Sequence, residues 1–161
     1  MYLSTAQNIA NDFIKLIQPY THRIEIAGSV RREKQQVNDI DIVAIPHSYK
    51  LEMFLRGDEA KKHEIYLQQS GPKHKKVIFK SAKIELWFAT KENWGLIYLI
   101  RTGSAKFSQQ MLATWKRVTR GGYSKDGILR DALHKPYCCY EETDVFKYCE
   151  MDFVNPINRS L

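Results

Sequence analysis

At 161 residues the chain can hold one ordinary domain or two small ones packed together, and a hydrophobic content of 43% is enough to bury a core. Its 25 Lys and Arg against 18 Asp and Glu leave a net charge of +7, for which a polyanionic partner is the simplest account. No apolar run approaches a membrane span, and the amino terminus lacks signal-peptide shape. The odd trio Cys138, Cys139 and Cys149 has no Cys-x-x-Cys spacing, which argues against a disulfide framework and a zinc site. The expectation is a soluble intracellular monomer, with cytoplasmic, nuclear and viral settings left open.

In chain order, Ala6, Ile9, Ala10, Phe13, Ile14 and Ile17 recur at helical spacing, with Ser4 or Thr5 as N-cap and Pro19 beyond the end. Residues 22 to 27 and 39 to 45 read as strands joined by Gly28-Ser29-Val30-Arg31-Arg32, and Leu51 to Lys62 as a helix. Residues 64 to 67 and 76 to 79 read as a hairpin. Ile84, Leu86 and Phe88 then alternate with Lys83, Glu85 and Trp87, which sets Glu85 opposite the aliphatic stripe. Further on, Trp94 to Ile100 reads as a short helix, Thr102-Gly103 as a turn, and Ser104 as N-cap of a helix carrying Phe107, Met111, Trp115 and Val118. Gly121-Gly122 ends it, Tyr123 to Leu129 pairs with Tyr137 to Tyr140, and Asp144 to Cys149 forms a last helix. No Gly, Pro or Ser linker parts the halves, which are read as residues 1–92 and 93–161.

The chemistry concentrates at Asn38-Asp39-Ile40-Asp41. In a strand, residues i and i+2 point the same way, so Asp39 and Asp41 can reach one divalent cation, and Val43 and Ile45 continue their face into the core. Two carboxylates side by side repel each other unless cations or basic groups offset the field. The small Ala27-Gly28-Ser29 run upstream allows a tight turn and a close ligand approach, and the Ser29 hydroxyl with Arg31 and Arg32 suits a triphosphate. Basic residues form two clusters: Lys73 to Lys83, where a phosphate-tracking surface and a merely solvated face are both open, and Lys106, Lys116, Arg117, Arg120, Lys125 and Arg130. His22, His47, His63, His74 and His134 show no ligand spacing and are read as surface or structural residues.

Gly-Ser, a short basic segment and Asp-x-Asp in this order resemble the nucleotidyltransferase superfamily and, more narrowly, the X family of DNA polymerases. The resemblance continues through Lys83-Ile84-Glu85-Leu86, Arg101-Thr102-Gly103-Ser104 and Phe153-Val154-Asn155-Pro156 with Arg159, covering about residues 22 to 160. It implies an α+β fold: a palm-like mixed sheet with helices plus a small α+β carboxy-terminal subdomain. It also implies two-metal nucleotidyl transfer, in which Mg²⁺ or Mn²⁺ is held by Asp39, Asp41 and Glu85. Nucleotide contacts fall on Ser29, Arg32, Asn38, Gly103, Ser104 and Ser108, and DNA contacts on Lys106, Lys116, Arg117 and Arg120. The implied substrates are a DNA primer/template and a dNTP, in repair or gap filling. The chain departs from the family pattern in carrying Glu85 for Asp, Val30 for an aromatic and Asn38 for Gly, with Ser108 where the family has Asn and Leu112 where it has Arg. Two other classes stay open: a small nucleotidyltransferase acting on RNA, protein or a small molecule, and a catalytically silent nucleic-acid-binding module.

Overall fold

A computed structural model describes residues 1–160. The chain has an α+β fold in two compact units, Met1–Phe88 and Ala89–Leu161. The first is built on a five-stranded mixed sheet of order β1-β2-β5-β4-β3: β1 (Thr21–Ile26), β2 (Ile40–Pro46), β3 (Ile65–Ser70), β4 (His74–Phe79) and β5 (Ala82–Phe88). All neighbours are antiparallel except β2 and β5, whose parallel pairing sets Ile40 opposite Ile84 and Asp41 opposite Glu85.

Alternation along these strands sorts the sheet into two faces. Ile40, Ile42, Ala44, Val77, Phe79, Ile84 and Leu86 join a buried cluster with Ala6, Ala10, Phe13 and Ile17 of α1 (Leu3–Ile17) and with Leu51, Phe54 and Leu55 of α3 (Lys50–Arg56). The opposite face carries Asp41, His74, Lys76, Glu85 and Trp87. Expectation and structure part at Val43: it is buried, but the core cluster takes the other face of β2. The Lys73 to Lys83 run likewise straddles the sheet. Lys75 faces the core side at 3% exposure, its ammonium bonded to Glu52 and to Ser70 Oγ, while Lys76 faces the opposite side.

Helix boundaries also moved. α1 begins two or three residues earlier than the sequence signal, capped at Tyr2 without a side-chain bond, so neither Ser4 nor Thr5 is its N-cap. Leu51 to Lys62 is two helices, α3 and α4 (Asp58–Lys62), because Gly57 takes an extended conformation between them. The β4–β5 turn uses Lys80 and Ser81 at φ 48° and 63°, the doubly left-handed geometry that matches strand twist.

The second unit packs α5 (Trp94–Thr102), α6 (Ala105–Val118) and α7 (Glu142–Tyr148) around Leu96, Leu99, Phe107, Met111, Trp115 and Phe146. Its three-stranded sheet, β6 (Tyr123–Lys125), β7 (Ile128–Arg130) and β8 (Pro136–Tyr137), corrects the reading of 123 to 129 as one strand: Asp126-Gly127, both at positive φ, fold it into a hairpin. A 3₁₀ turn, Pro156–Arg159, delivers Arg159 to a fully buried position. There its Nη1 donates to Glu142 Oε1 at 2.5 Å and its Nε to the Val154 carbonyl at 2.8 Å, with the guanidinium over the rings of Phe107, Phe146 and Phe153. Among the described residues no helix is long and apolar enough to cross a membrane.

Candidate active site

The parallel register is what brings distant carboxylates together: Asp41 on β2 and Glu85 on β5 are direct Cα partners on neighbouring strands, both half-buried. Asp39 stands differently. β2 begins at Ile40, so Asp39 lies in the bend before the strand, and strand alternation does not by itself align it with Asp41. Its nearest cation is Lys83, with Nζ 3.8 Å from Asp39 Oδ1.

A single turn, α2 (Gly28–Arg31), closes over Asp41. The Ala27 amide donates to the Asp41 carbonyl at 2.8 Å, and Gly28 sits at φ +59° with its Cα against the carboxylate. A Cβ there would stand 2.1 Å from Asp41 Oδ2, so only glycine admits this approach. Ser29 follows on the same turn, half-buried, and Arg32 caps its end. Burial lowers the pKa of Arg32 while the Asp41 charge partly opposes this, which puts the guanidinium within the field of that carboxylate. Asn38 is exposed.

Glu85 is engaged on both oxygens. The His74 ring, reached from β4, bonds Glu85 Oε2, and Lys76 Nζ lies 3.5 Å from Oε1. His74 in turn stacks on Trp87, ring centroids 3.9 Å apart at 24°, and Trp87 Nε1 donates to Asp41 Oδ1 at 3.1 Å. Read as structural from its lack of metal-ligand spacing, His74 thus joins the carboxylate group. Alternation along β4 sets His74 and Lys76 on one face, and the pairing of β4 with β5 turns that face toward Glu85.

Three carboxylates are hard oxygen donors of the kind Mg²⁺ and Mn²⁺ take, and the charge concentrated at Asp41 and Glu85 is offset by an indole, an imidazole and flanking cations. By chemistry the residues fit such a cation. Among the described residues, though, no three His, Cys, Asp or Glu side chains form a group that could hold a metal ion, so Asp39, Asp41 and Glu85 do not make a closed cage.

In the second unit, Ser104 caps α6, its Oγ accepting from the Phe107 amide at 3.3 Å, and its own amide donates to the Arg159 carbonyl at 3.2 Å. Gly103 is buried at φ +69°, and the Gly103–Ser104 peptide bond is cis. Ser108 turns inward at 7% exposure and donates its hydroxyl to the Ile100 carbonyl at 3.2 Å, so that group is already committed within the unit. Lys106, Lys116, Arg117 and Arg120 are exposed. No family model matches the sequence, and no curated protein matches it either.

Proposed function

We propose that the chain is a metal-dependent nucleotidyltransferase of the X-family DNA polymerase type, with a palm-like first unit, adding dNTPs to a primer 3′-hydroxyl. The observation that carries this reading is the pairing of Asp41 with Glu85 across parallel strands, with the Gly28-Ser29 turn packed against Asp41. Mg²⁺ or Mn²⁺ bound by Asp39, Asp41 and Glu85 would supply charge to acidify the 3′-hydroxyl and to stabilise the leaving pyrophosphate. Asp41 presents Oδ2 beside the turn that carries Ser29. Ser29 and Arg32 hold the triphosphate on that side, Arg32 as a planar donor able to take two phosphate oxygens at once. Glu85 sits on the neighbouring strand and accepts or orients the hydroxyl proton. The exposed basic residues of α6 and beyond, Lys106, Lys116, Arg117 and Arg120, grip the DNA backbone by phosphate neutralisation. Gap filling during repair is the biological setting this activity suits.

Primer extension with labelled dNTPs and Mg²⁺ or Mn²⁺ tests the reading directly. The expected result is metal-dependent extension that Asp41→Ala abolishes while circular dichroism shows an intact fold. Near-normal extension by Asp41→Ala would refute the assigned site. Transfer to RNA, protein or a small molecule with no primer extension would replace the substrate class while keeping the chemistry.

A further inference from the structure

Two like charges on neighbouring strands are costly to hold close, and a glutamate adds a further rotatable bond to that problem. The fold answers with a pair of stacked rings. His74 and Trp87 lie face to face, and each aims one ring N–H at a different carboxylate: Trp87 Nε1 at Asp41 Oδ1, His74 Nε2 at Glu85 Oε2. An ionised carboxylate offers only acceptors, so this contact selects the His74 tautomer with hydrogen on Nε2. The rings come from β4 and β5, where His74 and Trp87 are direct cross-strand partners, and stacking leaves neither free to turn without the other.

We propose that His74 and Trp87 are positioning residues, an aromatic bracket that orders the Asp41 and Glu85 carboxylates for cation binding. This deepens the nucleotidyltransferase reading and rests on it. The bracket uses one oxygen of each acid. Asp41 Oδ2 lies against the Gly28 turn, and Glu85 Oε1 pairs with Lys76 at 3.5 Å. It thereby fixes the orientation of each acid, the role that hydrogen-bonding partners behind metal ligands commonly have. It also accounts for a glutamate at the third position: the longer side chain is tethered by His74 at its tip.

Phenylalanine separates the two halves of the bracket, because it keeps a stacked ring and deletes the N–H. His74→Phe and Trp87→Phe should each raise the Mn²⁺ dissociation constant, read from free Mn²⁺ by electron paramagnetic resonance, by roughly 10- to 100-fold. In primer extension both should lower kcat with little change in the KM for dNTP, and His74→Gln, which restores an N–H donor, should recover part of the loss. A merely structural role predicts wild-type Mn²⁺ affinity in both variants, with any loss confined to thermal stability, and that result overturns the bracket.

One measurement needs neither metal nor activity. In the metal-free protein the Trp87 indole N–H should exchange slowly with solvent, and Asp41→Ala should speed that exchange severalfold. Equal exchange in the two proteins overturns the bracket whatever the enzyme does. Conversely, if wild type neither binds Mn²⁺ nor extends a primer while the indole N–H depends on Asp41, the nucleotidyltransferase reading fails and the pairing of ring with carboxylate stands.

Discussion

At Gly28 a left-handed backbone and a carboxylate meet at the same point, so the cost of any side chain there is doubled. Gly28→Ala must strain φ at +59° and push a methyl group into Asp41 Oδ2. We expect a destabilisation of about 1–3 kcal/mol together with loss of most primer extension, checked by denaturant melts alongside activity. Reversing the order of severity, with stability badly hurt and activity kept, would mean that Asp41 is packing rather than chemistry. The thiols differ from one another in a similarly local way. Burial pushes Cys139 up to about 12 and Cys149 up to about 11, so at pH 8 neither forms much thiolate. Ellman's reagent should therefore titrate Cys138 first in the folded protein and all three only after denaturation. Fast reaction of Cys149 in native conditions would contradict its burial.

Elements with strong local chemistry were legible in the sequence, and those set by tertiary context were not. Ser104 was readable as an N-cap because a hydroxyl before an apolar-periodic run satisfies an orphan amide, and the bond to Phe107 is there. Ser104→Ala should cost about 1 kcal/mol in a thermal or urea melt. The start of α1 was missed because its first turn is held by tertiary contacts rather than a cap: the Leu3 amide donates to the Gln35 carbonyl, and Tyr2 bridges to Gln36. Asp126-Gly127 is a local turn signal, and it divides this stretch into the two strands β6 and β7. The alternation that set Glu85 opposite the aliphatic stripe was visible in β5 alone. That His74 reaches Glu85 depends on which strand lies next to which, and no local pattern states that.

At the scale of the molecule, charge and buried ion pairs set the measurable behaviour. If the exposed cations grip DNA, log K should fall with log salt at a slope of roughly −0.9 per duplex phosphate contacted, and Arg117→Ala with Arg120→Ala should weaken binding and flatten that slope. Anisotropy titrations in which neither changes would move the DNA path elsewhere. Within the first unit, burial raises the Glu52 pKa but hydrogen bonds from Lys75 and Arg56 outweigh it, leaving the value below the ordinary 4.5. A depressed carboxylate stabilises the fold above its unfolded pKa and loses that contribution as pH falls through its folded value, so the Glu52 contribution should begin to fall below its ordinary 4.5 and be gone once pH passes below the depressed folded value. Glu52→Gln should then cost on the order of 1–3 kcal/mol at neutral pH, since Lys75 stays buried, and lose most of that difference in acid. Within the second unit, Arg159→Ala removes the buried charge paired with Glu142 and should cost about 3–5 kcal/mol, with Arg159→Lys a poor rescue because it lacks the planar guanidinium set among three phenylalanine rings.

The parallel pairing of β2 with β5 also has a consequence in time. Antiparallel neighbours joined by a tight turn, such as β4 and β5, can zip locally, whereas the pairing of Asp41 with Glu85 must close over all the chain between β2 and β5. On contact-order grounds we expect this long-range pairing to close after the local hairpins, so that the repulsion between the two acids is met at that step. It works against the closing step and leaves the early ones untouched. Asp41→Asn should accordingly refold faster than wild type in stopped-flow measurements without divalent cations, through the phase that completes the five-stranded sheet.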